Sequence, residues 1–437
     1  MLSKLRHLGP SGLSAIFVQG GRLLLLLWLT HRLEGSAFGV LALLQLLVSL
    51  GIFMADGGLS NVYFAPKPPE RPVLGTLLVF SVGLSIVISL LMLAVAYGLS
   101  DWMQLPEVFP LSCWYLPVLV IQAAGVLPKG YLRRKMHFAA LAMAESLAFL
   151  AALLLSVWAI GQGYGLKGLV WGYLLQYFLQ TIAYWTLSGK PAWPDRGFEL
   201  RQMPDYLQFG LFQIGERIVN FLAERADVFV VGKFLGPSVL GIYDVFRQMV
   251  LRPESLINPV FGQVAQSEMA QVRQVPGRVG EIYQKYLCQT LLFNFTLLLI
   301  AFALAPWILN TFFGEIWQSY PALLRYCLLF ALLHAIYNPV GALQMAIGRA
   351  DKGFYWNLAL FAMLTPAVGL AAYWGDIYTV IQVEIAVFII LMYPFYKTQI
   401  QPLSGLSGWT FTQSIFRPLI PAVLIALLAF AGLYLLH

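Results

Sequence analysis

The stretch at 209–235, FGLFQIGERIVNFLAERADVFVVGKFL, combines the length of a membrane-spanning helix with several charged residues. At about 100° per residue, five polar side chains share one helical face: Gln213, Arg217, Asn220, Glu224 and Asp227. Charges at membrane depth are costly and usually face a protein interior or a water-filled cavity. The spacing therefore predicts a helix with a polar cavity on one side. The alternative is that these charges pair with one another or with neighbouring helices.

The next apolar segment, at 238–262, repeats this polar pattern. Three of its polar side chains lie on a shared helical face: Asp244, Arg247 and Gln248. Pro253 and Pro259 each remove a helix hydrogen bond, so we expect the helix to bend or break there. Broken helices with polar side chains are typical of transporter sites.

The basic residues inside the apolar segments are all arginines, and none is a lysine. Arginine keeps its charge when it is desolvated, and its planar fork suits phosphate oxygens. A cationic cavity would therefore suit an anionic substrate such as a pyrophosphate-linked lipid. The candidate substrate-binding residues are Arg22, Arg217, Arg247, Asn220, Gln213, Gln248 and Arg325.

Carboxylates in the same segments suggest a second kind of chemistry. The candidates for binding a coupling ion or for ion pairing are Asp56, Glu224, Asp227 and Asp244. A carboxylate at membrane depth can carry a coupling proton, or it can neutralise a nearby arginine. Both interpretations stay open at this point.

The sequence carries no recognisable catalytic set. It contains no P-loop and no cluster with metal-ligand spacing. A polymerase or glycosyltransferase would be expected to carry a large extramembrane domain. We therefore expect a protein that is not an enzyme and that has no cofactor and no metal, with a proton or sodium as the candidate coupling ion.

Composition defines the class of protein. Of the 437 residues, 59% are hydrophobic and 11% are charged, whereas a soluble protein carries about 25% charged residues. The mean hydropathy is +0.75. Thirteen apolar segments have the length of membrane helices rather than of barrel strands: 11–31, 38–60, 73–98, 111–128, 138–160, 167–187, 207–232, 238–262, 284–308, 320–346, 355–373, 378–396 and 418–436. The sequence therefore predicts an all-α polytopic membrane protein with about thirteen spans.

Lysine and arginine are distributed unequally between the two sets of loops. One set holds eighteen of them, whereas the other holds Arg32, Lys167 and Lys233. Because basic loops stay in the cytoplasm, we expect a multi-pass membrane protein with a cytoplasmic N-terminus. The net charge of +7 then reflects these loops, and we expect no nucleic-acid partner.

Two pairs of matching stretches indicate an internal repeat. LEGSAFGVL at 33–41 aligns with LGPSVLGIY at 235–243, and GVLPKGYLRRKMHF at 125–138 aligns with GALQMAIGRADKGF at 341–354. Six segments in each half make the repeats parallel, with the site between them. The predicted organisation is an N-terminal six-helix lobe at 1–187, a cytoplasmic linker at 188–206, a C-terminal six-helix lobe at 207–397, and a cytoplasmic loop with one additional C-terminal helix at 398–437.

Three stretches together resemble a known family: FGVLALLQLLVSLGIFMADGGLSNVYF, GYLRRKMHF and ERADVFVVGKFLGPSVLGIYDVFRQMVLRPESLINPVFGQVAQSEMAQ. They are similar to the polysaccharide-export flippases of the multidrug/oligosaccharidyl-lipid/polysaccharide (MOP) superfamily, and most of all to the O-antigen and exopolysaccharide branch. Chains of this family commonly have twelve or fourteen spans, so a thirteenth span would be a departure.

The resemblance implies two six-helix lobes around a V-shaped central cavity, with alternating access. It also implies that, in the bacterial inner (plasma) membrane, an undecaprenyl-diphosphate-linked oligosaccharide repeat unit is moved from the cytoplasmic to the outer leaflet for surface polysaccharide biosynthesis. The partners would be this substrate, membrane lipids, a polysaccharide polymerase and glycosyltransferases. The implied lumen positions are Arg22, Arg217, Glu224, Asp227, Asp244 and Arg247.

Two other functions are considered beside this one. A cation-coupled drug or small-molecule antiporter of the same superfamily would have a lumen dominated by acidic and aromatic residues, which the intramembrane arginines argue against. A non-transporting scaffold of a polysaccharide assembly complex would leave the polar faces of two long helices without a purpose.

Overall fold

The computed structural model describes residues 2–56, 59, 63, 71–189, 203–275 and 277–435. These ranges are built from α-helices joined by short turns and contain no β-strand. The chain divides into two compact units, each with its own core. The first comprises Met1–Leu26 and Arg32–Arg225, and the second comprises Leu27–His31 and Ala226–His437.

The first unit contains seven helices and most of an eighth. They are α1 (Leu2–Leu29), α2 (Gly35–Asp56), α3 (Arg71–Trp102), α4 (Val108–Tyr115), α5 (Pro117–Arg134), α6 (Phe138–Gly161), α7 (Leu166–Ser188) and the beginning of α8 (Met203–Phe234). The segment predicted at 111–128 begins in α4 and continues in α5. The new helix starts at Pro117 because proline fits the first turn of a helix, where its missing N–H is not needed.

Small residues bring α6 and α7 into close contact. A Cβ atom at Gly168 would lie 2.9 Å from the Cβ of Ala159, and one at Gly172 would lie 2.9 Å from the carbonyl oxygen of Ala152. Glycines four positions apart allow two helix backbones to approach within a membrane, where van der Waals packing drives association.

The second unit contains the end of α8 and ten further helices. They are α9 (Pro237–Gln271), α10 (Arg278–Ala303), α11 (Ala305–Phe312), α12 (Glu315–Gln318), α13 (Pro321–Tyr337), α14 (Val340–Ile347), α15 (Ala350–Trp374), α16 (Ile377–Phe395), α17 (Gln401–Ser404) and α18 (Gly408–Leu435). A π-helical turn, Tyr396–Ile400, joins α16 to α17. An aromatic core holds α9 against the α11–α12 region, since Phe246 packs edge-on against Phe313 and Trp317 at centroid distances of 5.9 and 5.8 Å.

Ten helical stretches within the described ranges are long and apolar enough to cross a membrane. This confirms the prediction of an all-helical polytopic membrane protein. The segments predicted at 167–187, 207–232 and 238–262 coincide with α7, α8 and α9, which have 23, 32 and 35 residues and are not among those ten. Thirteen spans, the two six-helix lobes and their boundaries stay predictions.

A break in the helix at 238–262, one of the two outcomes predicted there, does not occur. Helix α9 continues from Pro237 to Gln271 through both Pro253 and Pro259. A proline removes one backbone donor, and the surrounding protein of a membrane bundle can satisfy the groups that it releases.

Candidate functional site

Four polar side chains are buried together in the second unit. Asp227 comes from α8, Tyr243 and Arg247 come from α9, and Glu384 comes from α16. Their exposed fractions are 6%, 1%, 9% and 1% respectively. We call these four residues the acidic cluster. Because polar groups are costly to bury, a cluster this deep must be held together by its own contacts.

The guanidinium of Arg247 lies at the centre of the acidic cluster. Its Nη1 atom lies 2.7 Å from Oδ2 of Asp227 and 2.9 Å from Oε1 of Glu384. The hydroxyl of Tyr243 accepts a hydrogen bond from the same nitrogen and lies 2.6 Å from Asp227 and 3.0 Å from Glu384. A hydroxyl has one proton, so it donates to one carboxylate at a time. The guanidinium also stacks on Phe330 of α13, with Cζ 4.6 Å from the ring centroid.

The acidic cluster contains two carboxylates but a single cation. When Asp227 and Glu384 are both ionised, it therefore holds one more negative than positive charge. A buried charge without compensation is unstable, and one bound proton removes the excess. Oδ1 of Asp227 is buried and has no hydrogen-bond partner among the described residues. The cluster therefore holds one carboxylate more than Arg247 can balance.

A second polar group lies nearby in the same unit. Oε1 of Glu254, on α9, accepts a hydrogen bond of 3.0 Å from Asn258, whose own carbonyl accepts one of 3.2 Å from Asn294 on α10. Oε2 of Glu254 lies 3.1 Å from Nδ1 of His334 on α13. The His334 ring stacks on Phe330 at a centroid distance of 6.0 Å. Phe330 therefore contacts both the second polar group and the guanidinium of the acidic cluster.

The structure divides the single polar face that the sequence predicts for α9 into two groups. Arg247 belongs to the acidic cluster with Asp227, both of which are predicted site residues. Asp244 is buried and accepts a hydrogen bond of 2.5 Å from Gln248, whose carbonyl accepts one of 2.7 Å from Arg252. Arg247 therefore pairs with Asp227 and Glu384, and Asp244 belongs to a separate polar ladder along α9.

The remaining candidate site residues whose side chains the structure describes lie outside the acidic cluster. Arg22 is half-buried in the first unit. Asn220 is half-buried and Glu224 is exposed. Arg325 is exposed, with its guanidinium 5.7 Å above the ring of Phe302.

Three predicted site residues lie outside the described side chains: Asp56, Gln213 and Arg217. Their assignments stay predictions.

Glu384 and Tyr243 are members of the acidic cluster that the sequence does not single out as site residues. Glu384 is a lone carboxylate in IQVEIAVF, and an acid in so apolar a helix requires a partner. Tyr243 lies one helical turn before Arg247, so the two share a face. The signal in the sequence is therefore present, but it does not say which arginine is the partner.

The sequence profile of a family described as "Polysaccharide biosynthesis protein" matches residues 29–322, more than half of the chain. The chain belongs to this family. The lipopolysaccharide biosynthesis protein WzxC of Escherichia coli (strain K12) is 23% identical over 413 residues, which are 93% of this chain and 83% of WzxC. The chain is therefore a multi-pass bacterial membrane protein.

Two solved structures are similar to the fold. The lipid II flippase MurJ, in an inward closed conformation, gives a TM-score of 0.76 at 13% identity and covers 98% of this chain and 97% of its own. An inward-facing multidrug resistance MATE family transporter of the MOP superfamily gives 0.67 at 15% identity, with 90% and 96% covered. The family match and WzxC confirm the predicted resemblance to proteins of polysaccharide biosynthesis, and the two solved structures show that the fold is shared.

Proposed function

We propose that this protein moves an undecaprenyl-diphosphate-linked oligosaccharide from the cytoplasmic to the outer leaflet of the bacterial inner membrane, by alternating access, for surface polysaccharide biosynthesis. Three findings support the proposal: membership of the polysaccharide biosynthesis protein family, a relative named for lipopolysaccharide biosynthesis, and a fold similar to that of a lipid II flippase. Polymerase and glycosyltransferase partners belong to the same proposal.

The observation that carries the proposal is the buried acidic cluster. Replacing a buried ion pair by apolar residues of similar volume is often neutral or stabilising, so stability alone gives little reason to keep these four polar side chains. Asp227, Arg247 and Glu384 join three different helices, and a change in their protonation changes the attraction among those helices. A scaffold protein would have no use for such a device.

The cluster supports a coupling step within this proposal. A proton that binds to Asp227 or Glu384 removes the excess negative charge and weakens the attraction for Arg247. The guanidinium is then available to a competing anion, and its planar fork matches the oxygens of a diphosphate. Uptake of a proton and binding of the substrate anion would therefore favour the same state. A sodium ion at the carboxylates would act in the same direction.

A second candidate function is cation-coupled antiport of a cationic small molecule. The excess negative charge of the acidic cluster favours it, and so does the similarity to a multidrug resistance transporter. The two functions differ in what the cell loses when the protein is removed. Loss of an exporter for lipid-linked oligosaccharides removes surface polysaccharide, whereas loss of a drug antiporter raises drug sensitivity.

The test is complementation of a flippase-deficient strain, with the amount of membrane protein measured by blot. Glu384→Gln keeps the shape of the side chain and removes the titratable carboxyl, so we expect normal protein and at least a 10-fold loss of surface polysaccharide. Glu315→Gln serves as the matched control, because Glu315 is exposed and lies outside the cluster. Failure of the wild-type protein to restore polysaccharide, together with restored drug resistance, would favour the antiporter.

A further inference from the structure

The second polar group contains a carboxylate and an imidazole in direct contact. Oε2 of Glu254 on α9 lies 3.1 Å from Nδ1 of His334 on α13. The Glu254 side chain is 3% exposed, whereas that of His334 is 30% exposed. The carboxylate is therefore enclosed by protein, and the ring is the member of the pair that the surroundings can reach.

The hydrogen bonds of the pair indicate where its protons can lie. A ring nitrogen and a carboxylate oxygen are both acceptors unless one of them carries a proton, so the contact between them requires one. Oε1 of Glu254 already accepts a hydrogen bond of 3.0 Å from Asn258. Both carboxylate oxygens therefore act as acceptors when Nδ1 of His334 is the donor, and a second proton has Nε2 of the ring as its place.

The charge of the pair depends on this second proton. With one proton the ring is neutral and the carboxylate is ionised, so the pair carries one buried negative charge, which is costly. The second proton makes the ring an imidazolium and removes the net charge. The ring of Phe330 stacks on that of His334 at a centroid distance of 6.0 Å, and an aromatic face at about this distance attracts a cation.

Other charged and titratable side chains surround the pair on four helices: Arg247 and Arg252 on α9, Tyr286 on α10, Tyr337 on α13 and Glu384 on α16. Arg247 stacks on the same Phe330 ring at 4.6 Å, so a proton on His334 would repel this guanidinium. Arg252 donates to Gln248 at 2.7 Å. Glu384 is paired with Arg247, one turn before Phe388, whose ring centroid lies 6.4 Å from that of His334.

The two tyrosines contribute hydroxyl groups. The Tyr286 hydroxyl lies 3.1 Å from the position that a Cβ atom would take at Gly262, two helical turns after Glu254, and the Tyr337 hydroxyl donates to the carbonyl of Phe388. Tyrosine hydroxyls keep their proton below pH 8, whereas histidine ordinarily titrates between pH 5 and 8.

We propose that Glu254 and His334 form a proton-binding site, separate from the acidic cluster, in which Nε2 of His334 exchanges one proton with water between pH 5 and 8. The N–H bond at Nε2 is the one bond that forms and breaks. The site changes from one negative charge to none, and it does so whichever substrate the protein carries.

The simplest competing explanation is a structural hydrogen bond whose charge never changes. The pair joins α9 to α13, and Asn294 extends the network to α10. A structural bond of this kind requires a donor at His334 and an acceptor at Glu254, but it does not require the ring to titrate. Direct observation of the ring therefore separates the two explanations.

The experiment follows the protonation of His334 by NMR in the full chain, labelled with isotopic histidine and purified in detergent. The chain has five histidines, and the signal that is lost in His334→Asn identifies the ring. We expect this signal to titrate between pH 5 and 8. Glu254→Gln should move the midpoint by about one pH unit or more, because the carboxylate acts on the charged ring at hydrogen-bond distance.

Glu315→Gln is the matched control, since Glu315 is an exposed carboxylate on α12 and its loss should leave the midpoint unchanged. A cooperative thermal unfolding transition would show that each variant is folded. A His334 signal that does not titrate in this range, or a midpoint that neither substitution moves, would overturn the proposal.

A count of protons provides a second measurement that does not depend on Glu254→Gln alone. On acidification from pH 8 to pH 5, the wild type should take up one proton more than the double variant with Glu254→Gln and His334→Asn, which keeps an amide at both positions. Equal uptake would contradict the site. Glu384→Gln separates it from the acidic cluster, because His334 should still titrate in that variant. If the titration is lost there, the proton belongs to the acidic cluster and the proposal is wrong.

Discussion

Arg247 donates from one guanidinium nitrogen to both carboxylate oxygens of Glu384, at 2.9 and 3.0 Å, although the two residues lie 137 positions apart in the chain. The contact fixes α9 against α16 within the second unit. Asp227 of α8 shares the same nitrogen at 2.7 Å. A single cation thus connects three helices, and the balance between this cation and its two acids determines what each substitution should do.

Charge balance predicts that substitutions at Glu384 and at Arg247 change the stability of the protein by unequal amounts. Glu384→Gln leaves Arg247 paired with Asp227 and removes the excess charge, so the thermal unfolding midpoint in detergent should change little. Arg247→Gln leaves two buried carboxylates without a cation and should cost about 3–5 kcal/mol. Similar losses of stability in the two variants would contradict this charge balance.

The class of protein and the positions of most helices follow from hydropathy, because the run length of apolar residues is a local property. The polar face predicted at 209–235 includes Asp227, which does enter the acidic cluster. Its partner Glu384 is not predictable in the same way. The two residues lie on different helices, and the helical period shows which side chains share a face but not which helix covers that face.

Whether a proline interrupts a helix or lies within it is equally hard to derive from the sequence. Pro253 and Pro259 lie within a continuous helix, whereas Pro117 begins a new one. The difference depends on whether neighbouring helices can satisfy the backbone groups that a proline releases, and that is a property of the packed bundle rather than of the local sequence.

Helix packing in the first unit should depend on Gly172. A methyl group there would overlap Oγ of Ser156 and approach the Ala152 carbonyl, so Gly172→Ala should lower the free energy of unfolding by about 1–3 kcal/mol. Gly83 of α3 is the matched control, since a Cβ there meets no atom within 4 Å. Thermal unfolding should separate the two alanine variants. Equal midpoints would contradict close packing of α6 and α7.

Asp376 should stabilise the start of α16 in a pH-dependent way. Its Oδ1 accepts the backbone N–H of Thr379 and the Thr379 hydroxyl, both at 2.9 Å, and the backbone hydrogen bond holds the pKa of Asp376 below its usual range. Replacing such a cap by alanine costs about 1 kcal/mol. Because the pKa is lowered in the folded state, this stabilisation is present above the ordinary Asp pKa of about 3.9 and is lost as the pH falls through the folded-state pKa.

The measurement for this cap is the unfolding midpoint of wild type and Asp376→Ala between pH 7 and pH 3. The difference should shrink in acid. Asp376→Asn is the control, since asparagine also caps a helix but does not titrate in this range. A difference that stays constant with pH would contradict the role of the ionised carboxylate.

The membrane orientation can be tested at two exposed turns of the first unit. His137 lies between α5 and α6, and Tyr164 lies between α6 and α7. In a background without Cys113, Cys288 and Cys327, we expect an impermeant maleimide to label Tyr164→Cys in intact cells. His137→Cys should react with the maleimide only after the cells are permeabilised. Labelling of His137→Cys from outside would reverse the predicted topology.

The proposed function requires that the protein transfers a lipid-linked oligosaccharide across a membrane and that the acidic cluster takes part. The most direct measurement reconstitutes the purified chain in vesicles with a fluorescent undecaprenyl-diphosphate-linked oligosaccharide and follows the fraction reached by an impermeant quencher. The wild type should speed transfer at least 10-fold over vesicles without protein, and folded Glu384→Gln should not. If the folded wild type transfers the lipid no faster than protein-free vesicles, the proposed function is wrong. If folded Glu384→Gln transfers it as fast as the wild type, the acidic cluster takes no part in the transfer.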